Sequence, residues 1–317
     1  MAVREAARDE LRPKGVLSDE PEDLLHGVGW RAVRAVLREA VLRLWDDDAM
    51  GLAGNIAFRA LLAIFPFLIF TTSLTALIAG RELADSLVAF LIAIVPPALV
   101  EPLASEVMNV LTAPRGGVLS IGVLLTIWFA LGGVDGVRVG LNRAYDIRES
   151  RSTPVLYTLQ VLMVLLLGLV LTVVAYLLVL APRAGSLLHR LFPAFEPDSV
   201  TLNVIRYPAS AGILAAGLFA AHVFLPARRL RFSNMWPGVL FTVATWIALG
   251  GAFSFYLSRF ANYASYYAGL AGIIAGLYFL YLAALVLIFG GELNRAIRIR
   301  RLAKALKRTQ ATEGNLA

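Results

Sequence analysis

The stretch NIAFRALLAIFPFLIF, residues 55–70, sets an arginine and a proline inside a run otherwise suited to lipid. An arginine at the centre of a membrane helix costs about 2.5–3.5 kcal/mol on insertion scales, so Arg59 needs a reason to be there. Two readings stand. Residues 60–79 alone are long enough to cross a bilayer, which leaves Arg59 among the cytoplasmic headgroups with its aliphatic stem in the apolar layer. Alternatively, the apolar residues before it (GLAGNIAF) bury it, and it faces a water-filled cavity open to the cytoplasm. Asn55 is four residues earlier, on the same helix face.

The rest of the chain supports a membrane reading of this stretch. Of its 317 residues 59% are hydrophobic and 16% charged. An average soluble domain carries about 25% charged residues, and a soluble core of this size cannot hide so much apolar surface. The expected fold is all-α and polytopic, with short amphipathic pieces beside the spans. The net charge of +7 has a membrane explanation, because cytoplasmic loops collect lysine and arginine; a nucleic-acid partner is not expected. The chain has no cysteine, which excludes disulfides and thiolate metal sites. Its first 20 residues are polar rather than a secretory leader, so the first apolar helix is the expected insertion signal.

Four segments follow from the pattern. Residues 1–23 read as a mobile cytoplasmic tail with Pro13, Gly15 and Pro21. Residues 24–48 read as a juxtamembrane helix. Its Val33, Val36, Leu37, Ala40, Val41 and Leu44 recur at steps of three and four, and Arg31, Arg34 and Arg38 occupy another face. Such a helix suits the cytoplasmic membrane surface with its anionic lipids, or the side of a neighbouring cytoplasmic element. Asp46-Asp47-Asp48 then reads as a helix-capping run, with cation binding by the three carboxylates as the lesser alternative. Residues 49–294 form the membrane domain, and 295–317 a basic cytoplasmic tail.

Six spans are expected, at about residues 50–79, 117–141, 154–181, 204–225, 235–258 and 266–290. The first is too long for a straight crossing and must tilt, bend at Pro66 or emerge from the bilayer. Residues 86–100 are apolar but short and broken by Pro96-Pro97, so they read as re-entrant or interfacial. With the amino terminus inside, 22 lysines and arginines fall on cytoplasmic segments and six outside, Arg59 being the remaining one. That asymmetry places both termini in the cytoplasm.

The second span carries Asp135, Arg138 and Asn142 at i, i+3 and i+7, one stripe of a helix. Gly132, Gly136 and Gly140 form a small-residue ladder that admits a close neighbour. Asp135 and Arg59 both lie toward the cytoplasmic ends of their spans, and we expect them to line one cavity. Glu292 stands where the apolar residues of the last span stop, as a further cavity candidate or an interfacial partner of Arg295 or Arg298. Gly269, Gly272 and Gly276 soften that span or admit a neighbour. His189 and His222 are isolated and read as packing residues. No metal site or other cofactor is expected.

These residues resemble the YihY/BrkB family of bacterial inner-membrane proteins, once labelled ribonuclease BN-like. The resemblance rests on Asp48, Ala53, Ala57, Phe58, Leu61, Leu62, Phe65 and Pro66 at one end. At the other it rests on Tyr267, Leu270, Tyr281, Leu282, Leu285 and the run Gly290-Gly291-Glu292-Leu293-Asn294. It covers about residues 30–300. Ala268 and Phe279 depart from the usual glycine and tryptophan. The resemblance implies six transmembrane helices in the cytoplasmic membrane and a role in the cell envelope, with links to serum resistance and to export of lipids or small solutes. It supplies no catalytic residues. RNA cleavage needs clustered carboxylates with a metal, or a histidine acid–base pair, and neither pattern stands out here. There is no P-loop for ATP hydrolysis. The expected function is therefore not enzymatic. It is translocation of a lipid or small anionic solute through a polar cavity, as a monomer or oligomer; the competing class is an envelope scaffold that binds a partner or anionic lipid.

Overall fold

The computed structural model describes residues 30–63, 116–191, 199–228, 230, 232–260 and 270–314. The described residues are helical, with no strand among them. In chain order the helices are α1 (Trp30–Asp46), α2 (Ala49–Ala63), α3 (Gly116–Ala144), α4 (Thr153–Leu191), α5 (Ser199–Phe224), α6 (Trp236–Phe260) and α7 (Leu270–Gly314). A single 3-10 turn, Phe232–Asn234, precedes α6. The expected re-entrant stretch 86–100, Pro66 and Gly269 lie outside the described residues.

Four of these helices contain segments long and apolar enough to cross a bilayer: Thr153–Leu171, Arg206–Phe224, Trp236–Tyr256 and Ile273–Arg301. Many of their large apolar side chains are exposed. On α4, Leu162, Leu165 and Leu169 are each more than half exposed, a surface that water would not tolerate but lipid does.

The interior is built around α3 and α7. Val134, Leu141 and Tyr145 from α3 and the turn after it pack with Leu218 and Leu225 from α5 and its exit, Val239 and Val243 of α6, and Leu287 of α7. A second cluster joins Ala49, Ala53 and Ile56 of α2 to Ala144, Ala284 and Ile288. The glycine ladder of α3 makes that joint possible. A Cβ on Gly136 would sit 2.9 Å from Ile56 Cγ1, and one on Gly140 would sit 3.1 Å from Ile288 Cγ1. Gly136 thus admits α2, and Gly140 admits α7.

One side of α1 packs on α7. Val36 is buried against Leu293, Ala296 and Ile299 in the second half of α7, and Ala40 is fully buried. Arg300 Nη1 donates to the Ala32 carbonyl at 2.9 Å. The opposite face, with Trp30 and Trp45, is exposed.

The three aspartates do more than cap one helix start. Asp46 ends α1, and Asp48 closes it in the left-handed conformation, with φ of 51°. The Asp48 carbonyl then accepts from Leu52 N at 3.1 Å and opens α2. The end of α3 uses the same device. Asp146 has φ of 53°, Asp146 N donates to Arg143 O at 2.8 Å, and Ile147 N donates to Asn142 O at 2.7 Å. That pair of bonds is the Schellman closure, with aspartate in the position glycine usually takes.

Candidate functional site: a polar cavity beside the third helix

Arg59, near the end of the described part of α2, lays its guanidinium over α3 and donates through Nη1 to the Gly132 carbonyl at 3.1 Å. Gly132 leaves the room: a Cβ there would lie 2.7 Å from that nitrogen. Arg59 and Asp135 both line a cavity of about 540 Å³ between α2, α3 and the start of α4. Gln160 and Tyr157 line it from α4. The rest of its wall is mostly apolar and aromatic, from Leu62, Trp128, Phe129, Leu131 and Leu156. A cation and a carboxyl group therefore open on a space otherwise shaped for hydrocarbon.

Asp135 is held firmly in place. Its Oδ1 accepts from Gln160 Nε2 at 2.6 Å, Arg138 Nη2 at 2.9 Å and Arg138 Nε at 3.0 Å. Arg138 continues the chain of charges, donating through Nη1 to Glu149 Oε2 at 2.6 Å. Glu149 also receives Asn142 Nδ2 at 3.1 Å and Arg151 through Nε at 2.8 Å and Nη2 at 2.9 Å. The Arg151 bonds first, and then Arg138, hold the Glu149 carboxyl down at about 2. Arg151 in turn donates to the Phe224 and Leu225 carbonyls, at 3.1 and 2.6 Å, and so caps the carboxyl end of α5.

The stripe Asp135, Arg138 and Asn142 thus divides. Asp135 lines the cavity. Arg138 connects it to the α3–α4 loop, and Asn142, 5% exposed, is a strut whose Oδ1 accepts from Ala227 N at 2.9 Å. Asn55 does not line the cavity; its Oδ1 lies 3.6 Å from where a Gly136 Cβ would stand. Gly272 and Gly276 lie in α7. Gln160, Glu149 and Arg151 are site residues that the sequence pattern does not mark. Gln160 carried a usable signal, as a lone amide in the apolar run of α4. Glu149 and Arg151 sit in a loop whose charges read only as topology.

Glu292 lies elsewhere, 1% exposed where α7 meets the α1–α2 turn. Two residues on, Asn294 ties α7 to α6 and to the turn after α3. Its Oδ1 accepts from Gly238 N at 2.7 Å, and its Nδ2 donates to the Tyr145 hydroxyl at 3.1 Å. That hydroxyl meets His222 Nδ1 at 2.6 Å. With Asn294 donating to the phenol oxygen, the phenol proton can go to Nδ1, which leaves the imidazole proton on Nε2. His222 is fully buried with its ring edge-on to Tyr145, a hydrogen-bonded packing residue. Among the described residues no three histidine or carboxylate groups gather to hold a metal.

Helices with lipid-suited outer faces around a small polar interior define an integral membrane protein. Within that class the family is shown directly. The model of the family described as virulence factor BrkB matches residues 40–315, and the chain belongs to that family. It is 28% identical over 265 residues to the ribonuclease-like protein YfkH of Bacillus subtilis, covering 84% of this chain and 96% of that one. It is 24% identical to a UPF0761 membrane protein of Pseudoalteromonas atlantica, over 78% of this chain and 80% of that one. A UPF0761 membrane protein of Alteromonas mediterranea is 25% identical, over 80% and 84% respectively. No solved structure matches.

Proposed function

We propose that this protein moves an anionic lipid or small anionic solute through the cavity between α2, α3 and α4. The observation that carries the reading is the joint placement of Arg59 and Asp135 on that one cavity. Arg59 attracts a phosphate or carboxylate, and the apolar wall accommodates a hydrocarbon portion. Asp135, set by Gln160 and Arg138, repels an anion bound too deeply or accepts from its hydroxyl groups. In this reading the chain crosses a bacterial cytoplasmic membrane six times with both termini inside, as its charge asymmetry indicates. The relatives named as membrane proteins support the coarser part of it. The activity is not enzymatic in this reading; the word ribonuclease belongs to the name of one relative.

Flux in reconstituted vesicles tests the proposal, with a labelled anionic phospholipid and a panel of small carboxylates and phosphates. Expected is flux of at least one of them, reduced about tenfold or more by Arg59→Ala, the loss of one charge-assisted contact. No flux across the panel, or flux indifferent to Arg59→Ala, overturns it.

A second reading rests on the closed bonding of Asp135, whose Oδ1 already serves Arg138 and Gln160. In it the cavity is static and the protein is an envelope scaffold, with the basic face of α1 bound to anionic lipid or a partner. Vesicle flux separates the two.

A further inference from the structure

The carboxyl group of Asp135 is used on one side only. Oδ1 takes all three of its donors, Gln160 Nε2 and the Nε and Nη2 of Arg138. Oδ2 accepts from no donor among the described residues, while the side chain is 35% exposed and lines the cavity. Gln160 is buried and the Arg138 side chain nearly so, and between them they fix the orientation of the group. The second oxygen is thus a positioned acceptor that the protein itself does not use.

Arg59 is its complement. Nη1 is anchored on the Gly132 carbonyl, and Nε and Nη2 have no partner among the described residues. Gly132 and Asp135 are three residues apart on α3, about 4.5 Å along the axis, so the cation and the open acceptor stand roughly one helical turn apart. A ligand that satisfies both carries an anion and, beside it, a hydrogen-bond donor. A plain anion satisfies Arg59 and sets its own charge against Oδ2.

The rim of the cavity is apolar and aromatic. Trp128 and Tyr157 line it and are exposed. Such side chains at a membrane surface sit at the level of the lipid headgroups. From Tyr157 an exposed row continues along α4 through Val161, Leu165 and Leu169, each four residues beyond the last, inside the membrane-length segment Thr153–Leu171. A headgroup held in the cavity has its hydrocarbon led out along this row, and a free solute makes no use of it.

Resting on the cavity as the binding site, we infer that its ligand is a membrane phospholipid whose head carries a hydroxyl or ammonium donor beside the phosphate. Arg59 takes the phosphate, Asp135 Oδ2 accepts from the donor, and the acyl chains lie along α4. Asp135 is then the residue that sets which headgroup fits.

Lipid binding to the full chain in detergent, read by native mass spectrometry, tests this. Two pairs of lipids with the same acyl chains and equal charge isolate the donor: phosphatidylglycerol against phosphatidylmethanol, and phosphatidylethanolamine against phosphatidylcholine. The donor-bearing member of at least one pair is expected to bind the wild type about tenfold more tightly, the worth of one hydrogen bond to a charged group, and the pair that shows it names the donor. Asp135→Asn keeps an acceptor for Arg138 and Gln160 and puts an amide NH2 in place of Oδ2. It should bring the ratio to within about twofold, whereas Arg59→Ala weakens both members alike. Equal binding within both pairs overturns the proposal, and that comparison needs no variant. A preference that survives Asp135→Asn overturns it too, as does glycerol phosphate binding as tightly as phosphatidylglycerol, which would make the ligand a free solute. Binding is read without flux. Flux that depends on Arg59 with no preference within either pair keeps the translocation reading and loses this one, and a preference without flux does the reverse.

Discussion

Arg59 reaches across from α2 to the main chain of α3, with its Nη1 3.1 Å from the Gly132 carbonyl oxygen. The contact fixes a cation on the cavity wall and depends on the absence of a side chain at one position of the facing helix.

Gly132→Ala therefore separates cavity function from stability. The added methyl meets the far end of a flexible side chain, at 2.7 Å from Nη1, so Arg59 swings aside at small structural cost. The adjacent Gly133 has nothing within 4 Å of a Cβ. Binding or flux of the anionic ligand falls in Gly132→Ala and is unchanged in Gly133→Ala, and both unfold close to the wild-type temperature.

Gly238 presents the opposite case. A Cβ there runs into the Gly290 carbonyl oxygen and the Asn294 side chain, and the obstructing carbonyl is backbone. Gly238→Ala should destabilise by about 1–3 kcal/mol or more, the usual range for overpacking. Gly212→Ala on α5 meets nothing within 4 Å and should be neutral or stabilising by up to about 1 kcal/mol. Thermal unfolding in one detergent compares them.

The Glu149 hub gives an acid-sensitive component of stability. Its folded-state value, about 2, lies below the ordinary 4.5. A depressed carboxyl contributes stability that is present above the unfolded value and disappears as pH falls toward the folded one. The loss therefore falls between about 4.5 and about 2, and Glu149→Gln lacks that component. Unfolding temperature against pH for the two proteins is the measurement.

Tyr145→Phe removes the hydroxyl that Asn294 donates to and that meets His222. Both partners are buried, at 1% and 0% exposure, so water does not replace the lost bond. The expected cost is about 1–3 kcal/mol. Denaturant unfolding monitored by tryptophan fluorescence reads it, and a cost below a few tenths of a kcal/mol would mean that the three groups are not linked in solution.

The sequence by itself determined that the chain is helical and bound for a membrane, because the length of an apolar run and its charge flanks are properties of consecutive residues. It also determined which face of α3 is small, since Gly132, Gly136 and Gly140 repeat at the helical period. Tertiary structure alone decided who uses that face: Arg59 over Gly132, Ile56 at Gly136 and Ile288 at Gly140. It also decided that Asp135 answers to Gln160, 25 residues away, and that Asn294 bonds to Gly238 and Tyr145, both far from it in the chain. Helical period is a local quantity and can be read along a line. The partner of a buried charge is set by which helices the apolar surfaces draw together, and that is fixed only when the whole chain has packed.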